Sequence, residues 1–255
     1  MNAAANEHKV GHWTGAESVG LPSGIRACLF DLDGVLTKTA RLHAAAWKAT
    51  FDHFLLARSV QRHEPYVAFD SALDYDLYVD GRAREDGIRE FFASRGIEVE
   101  AATVATLGER KNDFVHDLIR SQGLEPYEGS VRYLRAVVRA GLRRAVVSAS
   151  ANCRAALEAT GLSDVFEVRI DAARAAQAQL QGKPAPDTFL AAARALAVEP
   201  AEAAVFEDSL AGVAAGQAGR FGFVVGVDRT DHAEALRRAG ADRVVSDLGE
   251  LLGPR

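Results

Sequence analysis

At 255 residues the chain is long enough to bury a large core and to hold one domain or two. Its 48% hydrophobic and 25% charged content is ordinary for a soluble globular protein, and a formal charge of −5 argues against broad nucleic-acid binding by bulk electrostatics. No apolar run is long enough to span a bilayer, no signal-peptide core marks the N-terminus, and two cysteines make no disulfide framework, so a reduced cytoplasm without membrane contact is expected.

Residues 1–24 are rich in Ala, Gly, His, Asn and Ser without an apolar period and read as a flexible tail, with local order near Trp13. Ala27–Phe30 is a short apolar run of the kind buried on both faces of a parallel sheet. Asp31 and Asp33 follow it, and then Gly34, where the chain can turn and its backbone can approach a ligand. Two carboxylates thus stand at the carboxyl end of a buried strand, where open α/β sheets bind ligands. They repel unless a cation or a shared proton intervenes, and Mg²⁺ with oxygen ligands fits beside a phosphate.

Thr39 to Phe51 reads as a helix with Leu42, Trp47, Phe51 and Phe54 on one apolar face, and His43 one turn after Thr39 leans toward the aspartates. From 55 to 125 the pattern is helical with polar breaks. Ile88–Gly96 and Arg110–Gln122 are predicted helices closed by glycines, and no strand is expected. After Pro126 strands and helices alternate. The strands are 143–148, 166–170, 203–206, 221–227 and 243–245, and the helices are 131–140, 152–160, 187–196, 209–218 and 231–239. Repeated β-α-β units imply a doubly wound parallel sheet covered on both faces. The predicted organisation is a tail (1–24), an α/β core (25–39 and 126–255) and an inserted helical domain (40–125).

Three further stretches end predicted strands or precede helices. Ser148-Ala149-Ser150-Ala151-Asn152 offers hydroxyls and helix-start amides to an anion, although Ser150 or Asn152 would serve equally as ordinary caps. In Gly182-Lys183-Pro184-Ala185-Pro186-Asp187 two prolines stiffen the loop that carries Lys183, a cation for a phosphate or a carboxylate. Glu207-Asp208-Ser209 puts paired acids at a helix start, as caps or as part of a metal shell.

In order and spacing these four stretches resemble the motifs of the haloacid dehalogenase (HAD) superfamily of phosphotransferases. The helical insertion resembles that superfamily's C1-type cap. The resemblance implies a Rossmann-like core, with Asp31 as nucleophile and Asp33 as general acid/base. It implies Mg²⁺ on Asp31, the Asp33 carbonyl, Glu207 and Asp208, and the transferring phosphate on Ser148, Ala149 and Lys183. Within the superfamily, Asp31 to Thr37 followed by Thr39, His43 and Trp47 is similar to the β-phosphoglucomutase group. So are Ser150, Asn152 and the loop Gly81-Arg82-Ala83-Arg84-Glu85-Asp86-Gly87, where Gly81 and Arg84 match the grip on a distal phosphate. Asp80 stands where that group's best-known form has lysine, Gly87 where it has serine, and Lys38 where an acid is common; Arg82 is a candidate replacement cation. The resemblance implies a monomer that interconverts β-D-glucose 1-phosphate and glucose 6-phosphate through an aspartyl-phosphate and β-glucose 1,6-bisphosphate, with Thr39 and His43 coupling the cap to Asp33. A sugar-phosphate phosphatase is the alternative reading, and a non-catalytic sugar-phosphate binder a third.

Overall fold

A computed structural model describes residues 15–253. The strands are β1 (Ala27–Phe30), β2 (Arg143–Val147), β3 (Val168–Ile170), β4 (Ala203–Glu207), β5 (Phe223–Val227) and β6 (Arg243–Val245). They form one parallel sheet in the order β3-β2-β1-β4-β5-β6. β1 is wholly buried, as its unbroken apolar run requires, and lies between β2 and β4. The chain winds outward from β1 in both directions, so the strand-order switch falls at the end of β1, where such sheets bind ligands. Register pairs Phe30 with both Val146 and Phe206, which brings Asp31, Ser148 and Glu207 to one carboxyl edge.

The helices in chain order are α1 (Ala40–Arg62), α2 (Arg84–Ser94), α3 (Ala101–Gln122), α4 (Glu128–Arg139), α5 (Cys153–Ala159), α6 (Ala172–Gln177), α7 (Asp187–Ala195), α8 (Leu210–Ala218) and α9 (Ala233–Ala239). One sheet face packs against α4 and α5 through Phe30, Val146, Phe206, Tyr133 and Leu157. The other packs on α7 and α8 through Leu29, Val205, Phe189 and Val213.

The inserted region carries no strand between residues 55 and 120. It has a separate core built on aromatic rings: Phe51 stacks on Trp47 at 4.9 Å and on Phe91 at 4.3 Å, and meets Phe92 edge-on at 5.3 Å. Two helices are longer than the sequence suggests. α1 runs on to Arg62 because Leu55 and Ser59 keep its buried face going; it stops where His63 turns left-handed (φ 55°) and caps the Ser59 carbonyl. α3 starts at Ala101, since Val104 and Leu107 extend its apolar side. Tyr75–Val79 forms a single π-helical turn, and α6 was not foreseen from sequence.

The expected tail is too long. Gly15–Val19 is a 3-10 turn, and Ala16, Val19 and Leu21 are buried against α4 and the C-terminal turn at Leu248–Leu252. The Tyr133 hydroxyl donates to the Val19 carbonyl at 3.0 Å. Three apolar residues spaced irregularly show no period, which is why the sequence hides this packing. Trp13 lies outside the described residues.

The aromatic stack predicts a sharp contrast within α1. Phe51→Ala should destabilise by about 3–5 kcal/mol, because the ring is fully buried and its neighbours cannot close the cavity. Leu56→Ala, on the exposed side, should stay within about 0.5 kcal/mol. Urea denaturation of the two variants beside the parent measures both.

Candidate active site

Asp31 continues β1 and is buried at the carboxyl edge of the sheet. Lys183, from the proline-rich loop before α7, reaches it from beneath. Its Nζ donates to Asp31 Oδ1 at 2.5 Å and to the Val147 carbonyl at 3.3 Å, and stands 2.5 Å from Glu207 Oε1. Burial by itself would lower the lysine's pKa, but the two carboxylates outweigh it and hold the ammonium above its usual range. Burial pushes the Asp31 carboxyl up; Lys183 opposes this, while Glu207 and Asp33 add to it. Asp208 is raised the same way, by burial first and then by Asp80 and Asp31.

Asp31, Glu207 and Asp208 each offer an oxygen within 4.8 Å of the others. Glu207 is wholly buried. Its Oε2 accepts from the Ser209 hydroxyl at 2.9 Å, while Oε1 has the Lys183 ion pair but no aligned hydrogen bond. An all-oxygen set with an under-satisfied buried carboxylate and upward-shifted acids suits a hard divalent cation. Gly34 makes the cluster possible: its φ is +87°, and a Cβ there would lie 1.7 Å from Asp208 Oδ2. The Asp33 carboxylate is not in this cluster.

Asp33 instead faces the cap. Thr39, at the start of α1, donates its hydroxyl to Asp33 Oδ1 and lies 2.8 Å from the Thr37 hydroxyl, leaving the helix end without a side-chain cap. His43 Nε2 sits 3.5 Å from the same Asp33 oxygen. Burial, with the Lys111 charge next, lowers the His43 pKa to about 4. The ring is therefore neutral near pH 7. Lys111 Nζ lies 2.9 Å from Nδ1; a charged ammonium there donates to Nδ1 and places the ring proton on Nε2, toward Asp33. Lys111 is buried, sits 4.9 Å over the Trp47 ring, and has its pKa lowered to about 7 by burial.

One pocket of about 50 Å³ is lined by both bodies. The core contributes Asp31, Asp33, Ala149, Ser150, Asn152 and Asp208; the cap contributes His43, Trp47, Gly81, Arg82 and Arg84. Thr39 and Glu207 are not in this lining, and Ser148 and Lys183 line an adjoining groove that shares Arg82, Arg84 and Ala149 with it. Ser148 Oγ accepts from the Ser150 amide at 3.1 Å, and Ser150 Oγ from the Asn152 amide at 3.1 Å, so these hydroxyls shape the loop. Asn152 reaches across to the cap, donating to Asn112 Oδ1 at 3.0 Å and pairing with His116 Nε2 at 2.8 Å. Gly81 (φ +69°) lets the cap loop rest on Ser209, whose Oγ would be 2.1 Å from a Cβ.

Arg84 is not the solvated turn residue that its neighbours suggest. Glu85 pairs with Arg89, and Arg84 has no ion pair among the described residues. Its alkyl chain runs past Gly108 into the cavity. Gly87 packs on Val79, where a side chain would be 3.2 Å from the Val79 backbone. Asp80 also lines the cavity, and burial pushes its carboxyl up to about 7 although Tyr75 hydrogen-bonds it. Sequence reasoning missed Lys111, Asn112 and Tyr75. A signal existed for Lys111: it interrupts the i, i+4 apolar stripe between Leu107 and Val115 on α3.

A family model described as haloacid dehalogenase-like hydrolase matches residues 25–220. A Mycobacterium tuberculosis protein named β-phosphoglucomutase is 54% identical over 246 residues, covering 92% of this chain and 94% of that protein. A Bacillus subtilis β-phosphoglucomutase is 31% identical over 233 residues, covering 89% and 92%. The crystal structure of β-phosphoglucomutase from Clostridium difficile matches with a TM-score of 0.71 at 28% identity, over 89% of this chain and 93% of that one. Motif placement, sheet order and these matches agree: the chain belongs to the haloacid dehalogenase-like hydrolase family.

Proposed function

We propose that the protein is a β-phosphoglucomutase that moves a phosphoryl group between the 1- and 6-positions of β-D-glucose. The observation that carries this reading is the position of Arg84. A cap-borne cation faces the cavity that holds Asp31 and Asp33. A mutase must hold a second phosphate while the first reacts, and a guanidinium suits that task. The 54% identity to a protein named β-phosphoglucomutase supports the same reading.

The chemistry runs in two halves. Asp31 starts out carrying the phosphoryl group: the 6-hydroxyl of bound β-glucose 1-phosphate bonds to phosphorus as the Asp31–phosphorus bond breaks, and Asp33 takes that hydroxyl's proton, giving β-glucose 1,6-bisphosphate. The bisphosphate then reverses its orientation in the site. An Asp31 oxygen bonds to the phosphorus at position 1 as the phosphorus–sugar oxygen bond breaks, and Asp33 returns its proton to the departing oxygen, leaving glucose 6-phosphate and the re-formed phospho-enzyme. Thr39 and neutral His43 hold the Asp33 carboxyl on the cap side. Ser148, the Ala149 amide and Lys183 hold the transferring phosphate, with Ser150 and Asn152 shaping their loop. Gly81, Arg82 and Arg84 grip the distal phosphate, with the sugar beside Trp47. A Mg²⁺ held by Asp31, Glu207, Asp208 and the Asp33 carbonyl would offset the like charge of phosphate and carboxylate. The cap opens to admit the substrate and closes over it to exclude water as a competing acceptor.

Hydrolysis of a sugar phosphate is the second reading, and Asp80 favours it. A carboxylate beside the cap grip repels a distal phosphate whenever it is ionised. We place the protein in the cytoplasm as a monomer acting on a sugar phosphate.

Three outcomes test the proposal. Asp31→Asn should cut turnover by roughly 10³-fold or more and abolish the phospho-enzyme seen by mass spectrometry, because an amide is a poor nucleophile. With β-glucose 1-phosphate, Mg²⁺ and a trace of the 1,6-bisphosphate, glucose 6-phosphate should form ahead of free phosphate. Arg84→Ala should then lose mutase flux more than phospho-enzyme hydrolysis; inorganic phosphate as the main product, indifferent to Arg84→Ala, would establish the phosphatase instead. Chelation should remove activity and Mg²⁺ restore it, read by the same coupled assay.

A further inference from the structure

A second groove, of about 730 Å³, opens on the hinge side of the molecule between the cap and the core. Among the described residues Tyr75 alone lines both this groove and the catalytic cavity. The groove has four cations on its walls: Lys38 and Arg229 from the core, Arg41 and Lys48 from α1. Its one acid, Asp76, is engaged by His232 Nδ1 at 3.2 Å. Lys38 and Lys48 also pair with Glu125 and Asp52 at 2.8 Å, and Lys48 donates to the Phe69 carbonyl at 2.9 Å, but neither acid lines the groove, and the exposed Lys38 pair yields readily to a ligand anion. Arg41 forms no ion pair among the described residues.

Arg229 is held in place. Its Nε donates to the Gly34 carbonyl at 2.7 Å and Nη1 to the Ser246 carbonyl at 2.6 Å, and its guanidinium lies 3.6 Å over the Tyr127 ring. The third nitrogen, Nη2, is buried with no hydrogen-bond partner. That nitrogen is closed off from solvent, so Arg229 acts on the groove through its fixed charge rather than through a free donor. Between the cations the surface is apolar. Ala40, Ala44, Ala45, Ala72, Tyr75 and Tyr127 line it there. The volume lies within the range of small-ligand sites, roughly 300–1,000 Å³.

We propose that this groove is a second ligand site, for a nucleotide, with phosphates among the hinge cations and the base on the alanine and tyrosine surface. A sugar phosphate has no flat apolar body for that surface, and inorganic phosphate would leave it bare. The bound nucleotide bridges cap and core. It sits beside Ala40, whose neighbour Thr39 holds Asp33, so it biases the cap toward one position, and catalytic ligands change its affinity in return.

Calorimetric titration of the full chain with ADP in metal-free buffer tests the site without recourse to turnover. One-to-one binding is expected. Arg41→Glu, and Ala45→Trp as an uncharged plug, should each weaken it by at least about tenfold. Both positions are exposed, and unchanged thermal unfolding verifies that these variants fold. Arg84→Ala, in the catalytic cavity, should leave ADP affinity within about twofold, since the two sites share neither residue. Adenosine and pyrophosphate should each bind at least about tenfold more weakly than ADP. The proposal is overturned by absence of saturable binding up to about 5 mM ADP. Binding indifferent to both groove variants, binding that Arg84→Ala removes, or pyrophosphate binding as tight as ADP would overturn it equally.

Discussion

Lys183 stands between Asp31 and Glu207, 2.5 Å from an oxygen of each, and the edge of the sheet depends on that one buried cation. Three carboxylates converge there with almost no solvent, and burial together with mutual repulsion drives Asp31 and Asp208 toward their neutral forms. Removing one partner from such a group leaves an uncompensated buried charge, a far larger penalty than losing a surface pair. The lysine is positioned by a stiff, proline-bracketed loop and by the Val147 carbonyl at the end of β2. Strand order therefore matters chemically: β1 must lie between β2 and β4 for Asp31, the Ser148 loop and Glu207 to meet.

The cap imposes a different constraint. Its core is aromatic and apolar, yet two of its helices present polar groups toward Asp33. His43 and Lys111 manage this by pairing with each other, and both shift toward neutrality as burial demands. Asp33 thus faces one hydroxyl and one imidazole nitrogen from the same end of α1. The electrostatics on the two sides of the cavity are thus opposite in character: excess negative charge below, cations above. Asp80 is the exception among the cap groups that line the pocket with Arg82 and Arg84.

The cap also meets the core through few contacts of its own. Asn152 bonds to Asn112 and His116 on α3, His232 to Asp76, and the Gly81 turn rests on Ser209. These are polar contacts rather than a shared hydrophobic core; the aromatic cluster of the cap is separate from the two clusters of the sheet.

Much of the molecule follows from local pattern. The buried run before Asp31, the alternation after Pro126 and the stiff loop around Lys183 are properties of neighbouring residues, so the α/β architecture and the acidic edge are legible in the sequence alone. The matches in order of four motifs made the family legible too. Other features depend on contacts between distant segments and leave no local period. Ala16, Val19 and Leu21 join the core only because α4 and the C-terminal turn come to meet them. Arg84 reads as one charge among many until α3 offers the bare surface at Gly108 along which it reaches the cavity. Asp80 becomes perturbed, and Lys111 becomes a partner for His43, only when the cap lies over the sheet edge. Residue types and spacing determined which chemistry the chain can perform; the tertiary structure decided which charges face one another, because burial and proximity, not sequence distance, set their energies.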